Sequence, residues 1–165
     1  MNALFKTDDS WTGLILRVML GVVMFAHGAQ KLFGWFGGNG FSGTMGFFTN
    51  VMHLPWLIAF LVIIGESIGS VALTAGLLTR FVSGSFIVIM LGAIATVHWP
   101  QGFFMNWFGQ QPGEGFEYHL LVIAISAALL ATGGGKWSVD ALIARWLARH
   151  DAESRSYRKE LIAAG

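Results

Sequence analysis

Four long apolar runs constrain the fold of this 165-residue chain more than any other feature of its sequence. They cover residues 11–33, 55–78, 81–99 and 117–132. A helix needs about 20 apolar residues to cross the roughly 30 Å hydrocarbon layer of a bilayer. Backbone groups in lipid must hydrogen-bond to one another, and the runs lack the alternation of barrel strands, so they predict helices. The expected fold is an all-α membrane protein, built as a four-helix transmembrane bundle.

The composition agrees with a membrane protein and excludes several functions. Apolar residues make up 55% of the chain and charged residues 12%, whereas a soluble domain carries about 25% charged residues. A net charge of +1 offers no basic surface for nucleic acid. The chain contains no cysteine, which excludes thiol relays, zinc–cysteine sites, iron–sulfur clusters and c-type haem attachment.

The distribution of Lys and Arg predicts how the bundle is oriented. Loops 34–54 and 100–116 contain neither residue, and short cytoplasmic segments are the ones enriched in them. We therefore expect both termini in the cytoplasm, the two long loops outside, and a location in the bacterial cytoplasmic (inner) membrane. Asp8 and Asp9 precede the first run, so we interpret it as a retained helix rather than a signal peptide. The basic residues on the predicted inner side are Lys6, Arg80, Lys136, Arg145, Arg149, Arg155, Arg158 and Lys159.

The composition changes after the fourth run, which divides the chain into a transmembrane domain at 1–136 and a cytoplasmic segment at 137–165. Ser138 is a typical N-cap, and the apolar residues that follow recur at helical spacing. This pattern predicts an amphipathic helix and a charged tail. We expect the helix to lie on the anionic inner leaflet, and a docking helix for a cytoplasmic partner is the alternative. The apolar positions are Val139, Leu142, Ile143, Trp146 and Leu147.

Polar residues inside the predicted spans mark the candidate site. A charge at mid-bilayer costs about 2.5–3.5 kcal/mol on insertion scales, so such residues usually face the bundle interior. At 100° per residue, Arg17, His27, Gln30 and Lys31 fall on one face of the first helix. Structural alternatives remain, because Arg17 and Lys31 are long enough to reach the two interfaces, Arg17 can instead form a structural pair with Glu66, and His27 can be a neutral packing residue.

Glu66 lies near the middle of the second run, at a depth between Arg17 and His27. A side chain this short cannot reach the interface, so the carboxyl group must be protonated, paired or hydrated. Gly65 and Gly69 form a small-xxx-small pattern that permits close approach to the first helix. We therefore expect Glu66 to have a functional role.

Further polar residues lie at the predicted outer end. Glu117 and His119 are two residues apart, about 200° around a helix, so they cannot both face inward. We expect Glu117 to face inward, because a carboxylate is the costlier group to place against lipid. His53 and His98 are expected to be ordinary polar ends in the interface.

The outer loops interleave aromatic residues with glycine, as in the segments 34–41 and 103–108. Interfacial anchoring explains part of this pattern. The surplus of glycine suggests backbone that folds over the outer mouth of the bundle, where a flat apolar ring would find stacking partners.

The motifs assembled so far resemble the DoxX family of small bacterial membrane proteins. The resemblance implies a four-helix membrane fold and an association with quinone-linked redox chemistry, and its relatives include the large subunit of thiosulfate:quinone oxidoreductase. It covers most of the chain between residues 13 and 140. The residues that carry it are Arg17, Gly21, His27, Gly28, residues 31–38, Gly40, Phe41, Glu66, residues 76–80, Glu117, Gly133, Gly135, Ser138 and Asp140.

Together, the resemblance and the polar residues predict a quinone-linked membrane oxidoreductase or its quinone-binding subunit. The expected catalytic residues are Glu66, Glu117 and His27, and the expected quinone-binding residues are Lys31, Gln30, Arg17, Trp35 and Phe36. No metal is implied, and a haem held by His27 and His119 is a remote alternative.

Two other functions remain open at this point. The first is a non-catalytic membrane scaffold or assembly partner for a redox enzyme, and the second is a small proton-coupled transporter that titrates Glu66. The expected partners are the lipid bilayer, a redox-enzyme subunit or a second copy of the chain, with no role for nucleic acid.

Overall fold

The computed structural model describes residues 3–163, with side chains described for residues 3–154. Over this part of the chain the structure is all-helical, with six α-helices and no strand. The helices are α1 (Trp11–Phe33), α2 (Gly40–Gly46), α3 (Trp56–Ala75), α4 (Thr79–Ala93), α5 (Glu117–Thr132) and α6 (Val139–Ala163). The predicted all-helical fold is therefore confirmed.

Three helices in the described part of the chain are long and apolar enough to cross a membrane. They are α1, α3 and the continuous helical stretch Thr79–Gln101, which begins with α4. Helix α5 is apolar but has only 16 residues. Membrane embedding thus has structural support for three spans, and a fourth span through α5 stays a prediction.

Local signals in the sequence explain where the long helices begin and end. The Gly13 amide donates to Ser10 Oγ at 3.1 Å, which caps α1 at its predicted start. Gly34 and Gly76 follow α1 and α3 with φ of 75° and 70°, in the left-handed region that favours glycine. Helix α3 therefore ends at Ala75, three residues before the predicted end of the second span.

Two segments with π-helical hydrogen bonding lie at the same end of the bundle. One continues α4 over Ile94–His98, and the other, Phe47–Val51, links α2 towards α3. We call this end, which carries the connections 34–55 and 99–116, the loop end, and the opposite end the terminal end. Single π-helical turns occur frequently at functional sites.

Glycines of α1 allow its backbone to touch that of α3. A Cβ added at Gly28 would clash with the carbonyl of Glu66 and lie 2.5 Å from the Cα of Ser67. A Cβ at Gly21 would lie 2.9 Å from the carbonyl oxygen of Ser70. These two positions have no room for any side chain, so α1 and α3 form the closest helix pair of the bundle.

The expected role of Gly65 and Gly69 in this contact is wrong. A Cβ at Gly65 would meet Ile89, and one at Gly69 would meet Val82, both on α4. The small-xxx-small pattern of α3 therefore faces α4, and the close approach to α1 depends on the glycines of α1 itself.

We expect Gly28→Ala to destabilise the protein by about 1–3 kcal/mol, because the added methyl group meets backbone that cannot move independently. Gly84→Ala is the matched control, since its nearest neighbour would be Leu130 Cδ1 at 4.0 Å. The control should be neutral or stabilising by up to about 1 kcal/mol. Reversible unfolding in detergent measures both, and a Gly28→Ala protein as stable as wild type would contradict the packing described here.

An apolar core joins α1, α3, α4 and α5, while the outer faces of the same helices are also apolar. Large apolar side chains stay exposed along these faces, as expected where lipid rather than water surrounds the bundle. The core residues are Leu20, Met24, Leu73, Val82, Phe86, Met90, Val122 and Leu129. Exposed examples are Ile15, Met19, Val22, Leu57, Leu61, Val71, Phe81, Leu91 and Leu121.

Arg17 fastens the terminal end of the bundle. Its side chain is 2% exposed, and its guanidinium donates to four backbone carbonyls. Nε donates to Gly134 at 2.8 Å, Nη2 to Lys136 and Trp137 at 3.1 Å each, and Nη1 to Thr74. One side chain thus ties the end of α3 to the turn after α5.

Asp140 and Arg80 complete this arrangement. The Asp140 carboxylate accepts hydrogen bonds of 2.8 Å from the amides of Leu78 and Thr79 and so caps the start of α4. Arg80 donates to the carbonyls of residues 130–131 at the end of α5, also at 2.8 Å. At the terminal end, three residues of the motifs described above therefore hold helix ends in place, namely Arg17, Arg80 and Asp140.

Helix α6 begins as the sequence predicts, because the Ala141 amide donates to Ser138 Oγ at 3.2 Å. It continues to Ala163, through the segment expected to be a charged tail. Leu142 and Trp146 are exposed on its apolar stripe. Its position on the membrane surface stays a prediction.

Candidate functional site

A cavity of about 470 Å³ lies at the loop end, within the range of sites for small organic ligands. Its walls come from α1, α3, α4 with its π-helical extension, α5 and the segment between α2 and α3. Most of the lining is apolar. The apolar lining residues are Met24, Phe47, Phe48, Met52, Leu54, Ile58, Val62, Val88, Ile89, Met90, Gly92, Ala93, Val97 and Met105.

A small set of polar side chains interrupts this apolar lining. They come from α1, α3, α5, the end of the π-helical extension and the outer loop, so distant parts of the sequence meet at one place. The polar or ionisable lining residues are His27, Lys31, Glu66, Thr96, His98, Glu114, Tyr118 and His119.

Lys31 and Glu66 form an ion pair in the cavity wall. Lys31 Nζ donates to Glu66 Oε2. Glu66 is 4% exposed, whereas the Lys31 side chain keeps 25% of its surface accessible. The expectation that Glu66 must be protonated, paired or hydrated is met by pairing, with Lys31 as the partner. The pair leaves two of the three ammonium hydrogens of Lys31 for other acceptors.

His98 and His119 form a second polar contact. Their ring centroids are 4.0 Å apart, and His98 Nδ1 lies 2.8 Å from the backbone carbonyl oxygen of Glu114. A carbonyl only accepts, so His98 Nδ1 carries a hydrogen. His119 is 6% exposed, and its Nδ1 has no hydrogen-bond partner among residues 3–154. A buried polar atom left unpaired costs about 1–3 kcal/mol, which makes this nitrogen a candidate ligand contact.

The aromatic rings of α5 extend the His98–His119 contact to His27 on α1. Tyr118 lies 5.4 Å from His27 and 5.6 Å from His119 between ring centroids. Together with the His98–His119 contact, this places His27, Tyr118, His119 and His98 in one continuous ring row. The ring row and the Lys31–Glu66 pair supply six of the eight polar or ionisable residues of the lining.

The predicted orientations of Glu117 and His119 are reversed in the structure. His119 faces the cavity, while Glu117 Oε1 accepts hydrogen bonds of 3.0 Å from the Met105 amide and the Trp107 indole. These donors satisfy the Glu117 carboxylate outside the cavity. Glu117 therefore avoids contact with lipid without facing inward. His98, expected to be an ordinary polar end, lines the cavity as well.

Among the residues predicted for the site, the cavity brings together His27, Lys31 and Glu66. All three have described side chains and come from the two helices that pack most closely. Their predicted roles are not tested by their positions, but the meeting of His27 and Glu66 in one cavity agrees with the depth estimate made from the sequence.

The other predicted binding residues lie elsewhere. Arg17 is bound to carbonyls at the terminal end. Gln30 donates to the Phe36 carbonyl at 3.3 Å and lines a second, shallower pocket of about 310 Å³ that shares Lys31 with the cavity. Trp35 and Phe36 are exposed, and neither ring lines the cavity. Phe47 and Phe48 supply the aromatic lining expected from those two residues.

Among the described residues, no group of three or more His, Asp or Glu side chains is arranged to hold a metal ion. His27 and His119 line the same cavity, but each ring already packs against other members of the ring row. The haem alternative stays a prediction, and the lining favours an organic ligand with hydrogen-bonding groups.

The fold and this cavity define a helical membrane protein with an apolar internal site that carries an ion pair and a row of rings. The chain belongs to the DoxX family, whose model matches residues 12–99. It is 35% identical over 116 residues to the "Putative oxidoreductase CatD" of Bacillus subtilis (strain 168), which covers 70% of this chain and 76% of that protein. No solved structure matches the chain. The resemblance drawn from the sequence motifs is confirmed.

Proposed function

We propose that this protein is a quinone-linked membrane oxidoreductase, or the quinone-binding subunit of one, with its site in the cavity at the loop end. The observation that carries the proposal is an apolar cavity whose wall combines the Lys31–Glu66 pair with the buried, unpartnered Nδ1 of His119. Family membership and the name of the Bacillus relative support a redox role. A bound quinone would supply two-electron, two-proton chemistry.

The lining residues fit a quinone headgroup, which is a flat apolar ring with polar oxygens at its edge. Lys31 has ammonium hydrogens available for a carbonyl oxygen, and the hydrogen bond to Glu66 holds that ammonium in place. His119 lines another wall of the cavity, and its buried Nδ1 has no partner among residues 3–154. Phe47, Phe48 and the methionines of the lining supply apolar surface and exclude water.

The His98–His119 contact links the cavity to the outer loop. His119 lies in the cavity, its ring contacts His98, and His98 donates to the backbone of exposed Glu114. In this proposal His119 is the residue that contacts the ligand, and His98 positions it and connects it to the loop.

The membrane arrangement belongs to the same proposal. Helix α5 would be the fourth span, although its 16 residues cover only about 24 Å, a mismatch that local bilayer thinning accommodates. Four spans would put both termini on the same side of the membrane. The basic residues at that end of the bundle make it the cytoplasmic side. The loop end and its cavity then lie in the outer half of the cytoplasmic membrane.

A matched pair of histidine variants tests the proposed site. His119→Asn removes the imidazole in the cavity, whereas His53→Asn makes the same change at an exposed position outside the lining. Purified protein in quinone-free lipid nanodiscs is titrated with a short-tailed quinone. We expect saturable binding to wild type and to His53→Asn, and about tenfold weaker binding to His119→Asn for one lost hydrogen bond.

Two outcomes would overturn this assignment. A wild-type protein that binds no quinone and does not change the rate of quinol oxidation defeats the quinone function and leaves the scaffold alternative. An affinity of His119→Asn equal to that of wild type, in a protein with unchanged unfolding temperature, removes His119 from the site.

A further inference from the structure

The wall of the cavity between α3 and α4 is formed by side chains that also face the outside of the bundle. Val88 is 70% exposed and Ile58 49% exposed, yet both line the cavity. A side chain this exposed cannot belong to a closed wall. The cavity therefore opens sideways, through the apolar outer face of the bundle between α3 and α4.

The packing of α3 against α4 stops where this opening begins. Nearer the terminal end, a Cβ at Gly69 would lie 3.5 Å from Val82, and one at Gly65 would lie 2.9 Å from Ile89. Further towards the loop end, Val62 and Ile58 of α3 face the cavity rather than α4. Helices α3 and α4 therefore pack against each other near the turn at 76–78 and lose this contact towards the loop end.

Small residues on the α4 side enlarge the opening. A Cβ added at Gly92 would meet no atom within 4 Å among the described residues, so the space beside it is open. Ala93 and Thr96 line the same wall. The Thr96 hydroxyl donates to the Gly92 carbonyl at 2.8 Å, which satisfies its hydrogen-bonding need within the helix. The edge of the opening is consequently apolar and low in side-chain bulk.

We infer that this opening, bounded by Ile58, Val88 and Gly92, is a lateral portal through which a ligand with a long apolar tail enters from the bilayer. The headgroup would occupy the cavity and the tail would remain in the portal. This inference rests on the proposed function for the identity of the headgroup. It adds the class of substrate, namely a lipid-dissolved, long-tailed quinone rather than a small water-soluble one.

The portal is tested by filling it. Gly92→Trp places a large side chain in the open space, and Leu91→Trp is the control, because Leu91 is an exposed neighbour on α4 that does not line the cavity. Nanodisc-embedded proteins are mixed with a quinone carrying a long isoprenoid tail or with one carrying a single isoprene unit. We expect Gly92→Trp to slow association of the long-tailed quinone about tenfold or more, since entry then needs a rearrangement.

The controls separate failure of the portal from failure of the proposed function. Affinity for the short-tailed quinone should change less than about threefold in Gly92→Trp, and Leu91→Trp should match wild type for both quinones. An unchanged association rate for the long-tailed quinone, or equal losses for both quinones, overturns the portal. Gly92→Leu repeats the test with a smaller side chain if the tryptophan variant does not fold. Wild-type protein that binds neither quinone defeats the proposed function instead.

Discussion

Replacing Arg17 by alanine is expected to destabilise the protein by about 3–5 kcal/mol, more than any other single change at the terminal end. The substitution leaves four carbonyls, those of Thr74, Gly134, Lys136 and Trp137, without their charged donor. These acceptors lie where the end of α3 meets the turn after α5. Equilibrium unfolding in detergent or bicelles measures the loss.

Two further variants show whether the stabilising effect of Arg17 depends on the geometry of its guanidinium group or only on its charge. Arg17→Lys keeps the charge but replaces a planar fork by a single ammonium group, so we expect it to restore only part of the stability. Arg145→Ala removes an exposed arginine whose Nε donates within its own helix, and should change the free energy of unfolding by less than about 0.5 kcal/mol. An Arg17→Ala protein as stable as wild type would show that the terminal end does not depend on these hydrogen bonds.

Replacing Lys31 alone by methionine is expected to cost about 3 kcal/mol, because it leaves the carboxylate of Glu66 buried without a partner. The figure is at the low end of the usual range for a broken buried pair, since the Lys31 side chain remains 25% exposed and water reaches it. The Lys31→Met/Glu66→Met double variant should recover most of this loss. Replacing both members of a buried pair by apolar residues of similar size is often neutral or stabilising.

The comparison of single and double variants separates stability from function. If the pair existed for stability, the double variant would be as unstable as Lys31→Met. We expect instead a stable double variant that has lost a ligand contact, because Lys31 lines the cavity and its bond to Glu66 uses only one of its three ammonium hydrogens. A double-variant stability no better than that of Lys31→Met contradicts this interpretation.

The fold was predictable from the sequence where local physical signals determine it. The bounds of α1 agree because Ser10 and Gly34 are strong cap signals, and α6 begins after Ser138 for the same reason. The high apolar content and helical periodicity sufficed for the fold class. The meeting of His27 and Glu66 also followed from depth along antiparallel helices, since rise per residue is nearly constant, whereas the pairing of Lys31 with Glu66 was not predicted.

The remainder depends on contacts between distant segments, which the sequence does not display. His119 can face inward because Glu117 does not need to. Met105 and Trp107, ten to twelve residues earlier in the chain, donate hydrogen bonds to the Glu117 carboxylate outside the cavity. The π-helical extension places His98 on the cavity wall, and helical wheels with uniform 100° steps cannot anticipate it. Arg17, predicted for the site, instead donates to one carbonyl 57 residues later in the chain and to three that lie 117 to 120 residues later.

The affinity of the Lys31→Met/Glu66→Met variant for quinone is the most direct test of the central claim that the cavity is a quinone site. The measurement is an equilibrium titration in quinone-free nanodiscs, on wild type and on the double variant once its unfolding has been shown to match. The account predicts one saturable site per chain in wild type and an affinity at least about tenfold weaker in the double variant. Equal affinities in two equally folded proteins, or no saturable site in wild type, would contradict it.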